Sequence, residues 1–315
     1  MNTNSPLLVS IVIPAYNLAR YLGETIESIL SQDYPNVEVI VLDDGSTDDT
    51  RCVLEKYAGR IYAESQANMG QVNTMNKGWL MSKGDILGFI SADDTLLPGA
   101  VSKAVARLAA DPNAVLTYCD FNLIDANSRI IRRVTTPELS FADMLTKVVC
   151  PPGPGAFFRR SAYEATGLWD NSLKIMLDYD YWLRLGLKGP FVRIPEVLAQ
   201  YRVHETSQTF AGVDEARAYE PVAIVARFFE KHGLPESLRP LKNRALSNAH
   251  LICAQLNYRA GRYRLGNLNA RKAFTLYPRN FLTVSFVRLL LNVMLNRVGH
   301  RALWKMRGLL QGGHD

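Results

Sequence analysis

Two apolar runs in this sequence each stop at a pair of aspartates, and that arrangement limits the folds open to the chain. Ile86-Leu87-Gly88-Phe89-Ile90-Ser91-Ala92 stops at Asp93-Asp94, and Val37-Glu38-Val39-Ile40-Val41-Leu42 stops at Asp43-Asp44. Apolar runs of this length, bounded by polar residues and glycine, read as buried strands. Paired carboxylates cannot lie inside a sheet without partners, so both pairs belong at strand ends. Ligands of open α/β sheets bind outside the carboxyl ends of the strands. Carboxylates there can hold a divalent cation that also takes substrate phosphates. The two acidic strand ends therefore predict one site for a metal, a nucleotide or both.

The front of the chain alternates strand and helix, which predicts a mostly parallel sheet covered on both faces. Strands are expected over 8–13, 37–42, 61–64, 86–91 and 114–118. Helices are expected over 21–31, 49–57, 71–82 and 98–110. Leu22, Ile26, Ile29 and Leu30 share one face of the first helix, Thr47 or Asp48 caps the second, and Pro98 fits the first position of the fourth. From about Cys119 the regularity weakens, and Cys150-Pro151-Pro152-Gly153-Pro154-Gly155 is a rigid loop. Structure resumes at Ala156-Phe157-Phe158 with a helix from Ser161, then a helix over 179–187 and an extended segment over 191–201. Beyond Glu215 the pattern is helical. Tyr258, Gly261, Tyr263, Ala270, Ala273 and Pro278 faintly match one tetratricopeptide-type helix pair, expected to pack on the preceding domain. The expected division is 1–215, with halves 1–118 and 119–215, followed by a basic helical region, 216–315.

Charge is unevenly spread. From Pro221 onward, 16 Lys and Arg face three acidic residues, a balance of +13 that leaves −7 for the rest of a chain whose total is +6. Such asymmetry predicts a polyanion partner for the tail. Phe281, Phe286, Leu289, Leu290, Leu291, Met294 and Leu295 alternate with Arg297, Arg301, Lys305 and Arg307. This pattern reads either as an amphipathic contact with an anionic membrane or as core helices with solvated basic faces. The apolar stretch is shorter than the ~20 residues a membrane span needs. Four scattered cysteines without Cys-x-x-Cys read as buried residues of a reducing compartment. No secretory signal is read at the start, so the expected location is cytoplasmic, with peripheral attachment to the inner membrane face as the alternative to a purely soluble chain. A dinucleotide oxidoreductase is disfavoured, because no Gly-x-Gly-x-x-Gly follows a strand.

Val9-Ser10-Ile11-Val12-Ile13-Pro14-Ala15-Tyr16-Asn17, Asp43-Asp44-Gly45-Ser46-Thr47-Asp48-Asp49-Thr50, Ser91-Ala92-Asp93-Asp94, Asp178-Tyr179-Asp180-Tyr181-Trp182-Leu183-Arg184-Leu185 and Tyr201-Arg202-Val203-His204, in this order and spacing, resemble a family 2 glycosyltransferase. The resemblance covers roughly the first two thirds of the chain. It implies the GT-A fold and an inverting transfer of one sugar from a nucleoside-diphosphate sugar to an acceptor hydroxyl. The acceptor would be a saccharide or a lipid-linked saccharide, in the assembly of a cell-surface polysaccharide, exopolysaccharide or glycolipid. It implies donor binding by Pro14, Ala15, Tyr16, Asn17, Asp44, Asn73 and Asp93, with Tyr16 against the base and Asp93 on the ribose. Asn68, Gly70, Gln71 and Asn76 fall near the ribose and diphosphate. Asp94 and His204 would hold Mn2+ or Mg2+, Asp178 would be the catalytic base, and Arg202 could pair with phosphate. An acceptor-only carboxylate at Asp44 selects uracil or thymine over cytosine, favouring a UDP- or dTDP-sugar. Without a Gln-x-x-Arg-Trp after Asp178, the chain lacks a hallmark of processive synthases, and no nucleic acid is expected. The rival reading is an inert domain of this fold, acting as a scaffold or binding nucleic acid through its basic tail.

Overall fold

The computed structural model describes residues 6–205, 213–230 and 234–282. The chain divides into two compact units, Met1–Met144 with Cys150–Phe210, and Leu145–Val149 with Ala211–Asp315. In the first unit β1 (Val9–Ala15), α1 (Ala19–Leu30), β2 (Val37–Asp43), α2 (Thr50–Glu55), β3 (Tyr62–Ser65), α3 (Gln71–Met81) and β4 (Ile86–Phe89) follow the predicted alternation. They are followed by β5 (Thr95–Leu96), α4 (Ala100–Ala110), β6 (Leu116–Ile124), β7 (Ile130–Val134), α5 (Phe141–Lys147), β8 (Phe157–Arg159), α6 (Arg160–Thr166), α7 (Leu177–Gly186) and β9 (Phe191–Arg202). The described strands form one sheet in the order β3-β2-β1-β4-β8-β6-β9-β5, with β7 paired to β6. Strands β3, β2, β1 and β4 are parallel, β8 is antiparallel to β4 and β6, and β6 and β9 are parallel again.

Strands buried on both faces read as continuous apolar runs, and β1 and β2 show why. Ile11, Ile13, Val39 and Val41 enter one core with Leu22, Ile26 and Ile29 of α1 and Val101, Ala104 and Leu108 of α4. Val12, Ile40 and Leu42 enter the other with Met75 and Trp79 of α3 and Tyr181, Trp182 and Leu185 of α7. A Cβ at Gly78 would lie 2.3 Å from Val12 Cγ1, so α3 reaches the sheet only because that residue is glycine.

The structure departs from the sequence reading in three places here. The N-cap of α2 is Asp49, not Thr47 or Asp48, although Asp48 Oδ1 accepts the Thr50 N–H at 3.1 Å. Helix α4 starts at Ala100 with Gly99 as its N-cap in the left-handed region, φ 83°, so Pro98 precedes the helix. Regular structure also does not weaken at Cys119, because β6 runs on to Ile124 and pairs with β7 and β9. Asp120 hides that strand, since an isolated carboxylate argues against burial. Here it is fully buried but met by Arg193 Nη2 at 2.7 and 2.9 Å, Arg133 Nη2 at 3.3 Å and the Thr136 N–H at 3.0 Å. These partners hold its carboxyl below the ordinary value against the cost of burial.

The second unit contains α8 (Glu215–Glu230), α9 (Lys242–Arg259) and α10 (Tyr263–Leu276). The predicted helix pair is α9 and α10, turning at Gly261 with φ 74°. Tyr258 packs on Gly266, and Ser247 Oγ donates to the Ala273 carbonyl at 2.8 Å. Among the described residues no helix is long and apolar enough to cross a membrane. The apolar and basic stretch beyond Leu282 lies outside the described residues.

Candidate active site

Parallel strands in register place their following loops at one sheet edge. Ala15 of β1 lies opposite Asp43 of β2, and β4 leaves the sheet just after Phe89, opposite Val12. Residues 14–17, 43–48 and 90–94 therefore emerge together. The first two loops are clasped: Asn17 Oδ1 accepts the Thr47 N–H at 2.7 Å, and the Asn17 N–H donates to Ser46 Oγ at 2.9 Å. Asn17 adopts φ 52° to do so. Between the partly buried Pro14, the buried Ala15 and this clasp, Tyr16 is left 49% exposed, an aromatic face open to a base.

The two aspartates of each strand end part company. Asp43 is buried and accepts the Ser46 N–H at 2.9 Å, bracing its own turn. Asp44, 4% exposed, gathers the next loop. Its Oδ1 accepts from the Met69 N–H at 2.8 Å and Gln66 Nε2 at 3.1 Å, and its Oδ2 from the Gly70 N–H at 2.9 Å. The base-reading carboxylate expected from the sequence is thus also the anchor of residues 66–70. Asn73 lies exposed on the first turn of α3 and donates to the Met69 carbonyl at 2.8 Å. Asn68 and Gly70 are exposed in the anchored loop and Gln71 opens the helix. Asn76 is buried and exchanges two hydrogen bonds with the Trp169 backbone, at 3.0 and 2.9 Å. It joins two elements of the core and does not face the donor side.

At the other strand end His204 pairs with the first aspartate, whereas the resemblance places it with the second at a metal. His204 meets Asp93, not Asp94: Nε2 and Oδ2 lie 2.8 Å apart, and the Asp93 side chain keeps 15% exposure. The His204 ring also lies against Tyr21, centroids 5.0 Å apart. Asp94 is 3% exposed, and its Oδ1 accepts the Arg202 N–H at 2.8 Å. Burial, then the Asp93 charge beside it, pushes the Asp94 carboxyl well above its ordinary value. A carboxyl this buried and engaged by the β9 backbone is not presented to a cation at the strand end. Arg202 also departs from expectation. It is 1% exposed with its guanidinium spent on protein groups, so it does not present a free fork to phosphate.

The Asp93 and His204 pair fits a divalent cation. A carboxylate oxygen and an imidazole nitrogen suit Mn2+, and among the described residues no group of three or more His, Cys, Asp or Glu is placed to hold a metal ion by itself, here or elsewhere. A cation of this class usually completes its sphere with substrate phosphates and water.

Asp178 stands in the first turn of α7. Its Oδ1 accepts the Tyr179 N–H at 2.8 Å, and the Cys150 thiol donates to its Oδ2 at 3.5 Å. Burial raises the Asp178 carboxyl above its ordinary value despite both hydrogen bonds, and burial followed by the Asp178 charge pushes the Cys150 thiol well up. Asp180 accepts from Arg184 Nε at 2.9 Å, one turn on, a bracing role. Trp169 and Trp182 belong to the buried aromatic cluster around Trp79 and Phe89, which makes both core residues. Sequence reasoning missed Cys150 beside Asp178, because 28 residues separate them and no local pattern connects a proline-rich loop to a helix start.

The sequence pattern of glycosyl transferase family 2 matches residues 10–167. An uncharacterised glycosyltransferase of Rickettsia typhi is 32% identical over 237 residues, covering 73% of this chain and 74% of that protein. A chondroitin synthase of Escherichia coli is 31% identical over 211 residues, 66% of this chain and 30% of that one. In fold, the chain is similar to S. aureus TarS residues 1–349 in complex with UDP-GlcNAc, with a TM-score of 0.63, 18% identity and coverage of 87% and 92%. It is also similar to a mannosyltransferase of Pyrobaculum calidifontis in complex with GDP-Man and Mn2+, with a TM-score of 0.61, 18% identity and coverage of 96% and 88%. Matched over half its length by the family pattern and over nearly three quarters by a curated relative, this chain belongs to glycosyl transferase family 2.

Proposed function

We propose that this glycosyltransferase moves one sugar from a nucleoside-diphosphate sugar to an acceptor hydroxyl, with inversion and with a divalent cation on Asp93 and His204. The observation that carries this reading is their 2.8 Å pairing at the sheet edge where the nucleotide loops emerge. Residues 1–215 form the catalytic part and 216–315 the basic helical part. A bound Mn2+ or Mg2+ supplies positive charge where the leaving diphosphate gains negative charge. Tyr16 receives the base. Three N–H donors occupy Asp44, leaving about one of a carboxylate's four acceptor sites. A uracil or thymine ring N–H suits that site, so UDP- and dTDP-sugars are the favoured donors. Asp178 accepts the proton of the acceptor hydroxyl as its oxygen attacks the anomeric carbon and the bond to the diphosphate breaks. One base with direct displacement inverts the anomeric centre.

The sequence likeness to a chondroitin synthase supports a saccharide acceptor in polysaccharide assembly, with a lipid-linked saccharide as the membrane-associated variant. The +13 balance beyond Pro221 supports an anionic surface near that acceptor. The test is release of nucleoside diphosphate from a panel of UDP-, dTDP- and GDP-sugars with Mn2+ present. Turnover of a UDP- or dTDP-sugar that stops with chelator and returns with Mn2+ is expected. No release from any donor would return the chain to an inert scaffold, and full activity in chelator would remove the cation.

A further inference from the structure

The Arg202 side chain is an enclosed charge, 1% exposed, whose partners can be named one by one. Its Nε donates to the Asp93 carbonyl at 2.7 Å, its Nη1 to Ser128 Oγ at 2.8 Å and the Asp125 carbonyl at 3.2 Å, and its Nη2 to Glu24 Oε2 at 2.7 Å. The guanidinium carbon lies 4.7 Å from the centre of the Tyr21 ring. Its own backbone N–H holds Asp94. Two residues on, His204 meets the Asp93 carboxylate and the other side of this cluster, the Tyr21 ring. One residue thus touches the acidic turn by backbone and side chain, α1 through Tyr21 and Glu24, and the turn between β6 and β7 through Asp125 and Ser128.

That turn is built to be held. Ser128 sits in the left-handed region, φ 62°, where a residue with a Cβ is disfavoured. Its hydroxyl engages both Glu24 carboxylate oxygens, at 3.0 and 3.1 Å, as well as Arg202. Arg20, one helical turn before Glu24, donates to the Ala126 carbonyl at 3.3 Å and to Asn127 Oδ1 at 3.0 Å. A buried guanidinium is costly to leave unpaired, so the cluster holds together as a unit.

We propose that Arg202 is a positioning residue: with Glu24 as its anchor, it fixes the Asp93 backbone so that the Asp93 carboxylate and the His204 ring converge on one cation. Lysine keeps the charge but loses the planar fork that reaches the Asp93 carbonyl, Ser128 and Glu24 together. This rests on Asp93 and His204 holding the cation, so the experiment includes the ligand itself.

Mn2+ binding to the full chain, with UDP present, is measured by electron paramagnetic resonance for the parent, Asp93→Asn, Arg202→Lys, Glu24→Gln and Ser128→Ala. Partners that orient a metal ligand typically contribute about 10–100-fold in affinity. Arg202→Lys is expected to weaken Mn2+ by about that factor while keeping the parent's circular dichroism, and excess Mn2+ should restore much of its turnover. Glu24→Gln and Ser128→Ala leave the guanidinium in place and should lose a smaller, several-fold share, which decides the matter if Arg202→Lys does not fold. Parent-like Mn2+ affinity in the folded Arg202 variant, or in both anchor variants where it does not fold, would overturn the positioning role. A parent that binds no Mn2+, or an Asp93→Asn that binds it normally, would overturn the cation site itself and this role with it.

Discussion

The two acidic strand ends look alike in sequence and are used differently in space. After β2, both aspartates serve the protein: Asp43 braces its turn and Asp44 pins residues 66–70. After β4, only Asp94 is claimed in this way, while Asp93 keeps exposure and faces a histidine from the far end of the chain. The start of α7 repeats the division, with Asp180 braced by Arg184 and Asp178 set beside a thiol. A carboxylate is available for chemistry where its neighbour satisfies the local backbone or takes the nearby arginine. After β4 and at the start of α7, one acidic residue thus holds the frame while the other stays available.

Breaking the α7 pair should have the largest effect. Asp178→Asn keeps shape and removes the proton acceptor, so kcat should fall by ~10²–10⁴ with donor affinity nearly unchanged, whereas Asp180→Asn should act mainly on stability. The reverse ranking in steady-state kinetics would exchange the two roles. Because burial raises the Asp178 carboxyl, the ionised base forms only above that raised value. The acid limb of kcat/KM should therefore lie above the ordinary carboxylate range, and Cys150→Ala, which removes a donor to the ionised form, should move it higher still. The same shift fixes the sign for stability: the contribution is present at low pH and lost as pH rises through the raised value. Asp178→Asn should accordingly melt no lower than the parent at pH 8 despite its lost turnover.

The β2 pair yields smaller effects. Asp44→Asn replaces one acceptor oxygen with an amide NH2, a donor that cannot receive an N–H. Residues 66–70 should loosen, raising the donor KM roughly tenfold, about 1.4 kcal/mol, with kcat within a few-fold. Asp43→Ala should cost ~0.5–2 kcal/mol of stability, as for a lost cap, and leave KM unchanged. A large kinetic effect at Asp43 would erase the contrast between the two strand ends.

Much of this layout is legible in the sequence because it is local. Apolar runs such as Val37 to Leu42 mark strands buried on both faces, and the acidic pairs that follow them mark the strand ends. What escaped depends on partners brought from far away. Asp120 breaks the pattern of β6 until Arg193, 73 residues later, neutralises it. Asp94 reads as a ligand until the β9 backbone claims it, 108 residues on. Arg202 and His204 are two apart, yet the fold sinks one and opens the other to Asp93, a choice made by Glu24, Tyr21 and Ser128 together.

The central claim is that Asp93, and not Asp94, joins His204 in holding the cation. It is tested most directly by Mn2+ titration of Asp93→Asn and Asp94→Asn beside the parent, with UDP present. Asp94→Asn, which keeps the oxygen that accepts the Arg202 N–H, should bind within a few-fold of the parent, while Asp93→Asn should weaken by at least the ~10–100-fold that even an orienting partner contributes. Normal binding in Asp93→Asn together with loss in Asp94→Asn would contradict the account.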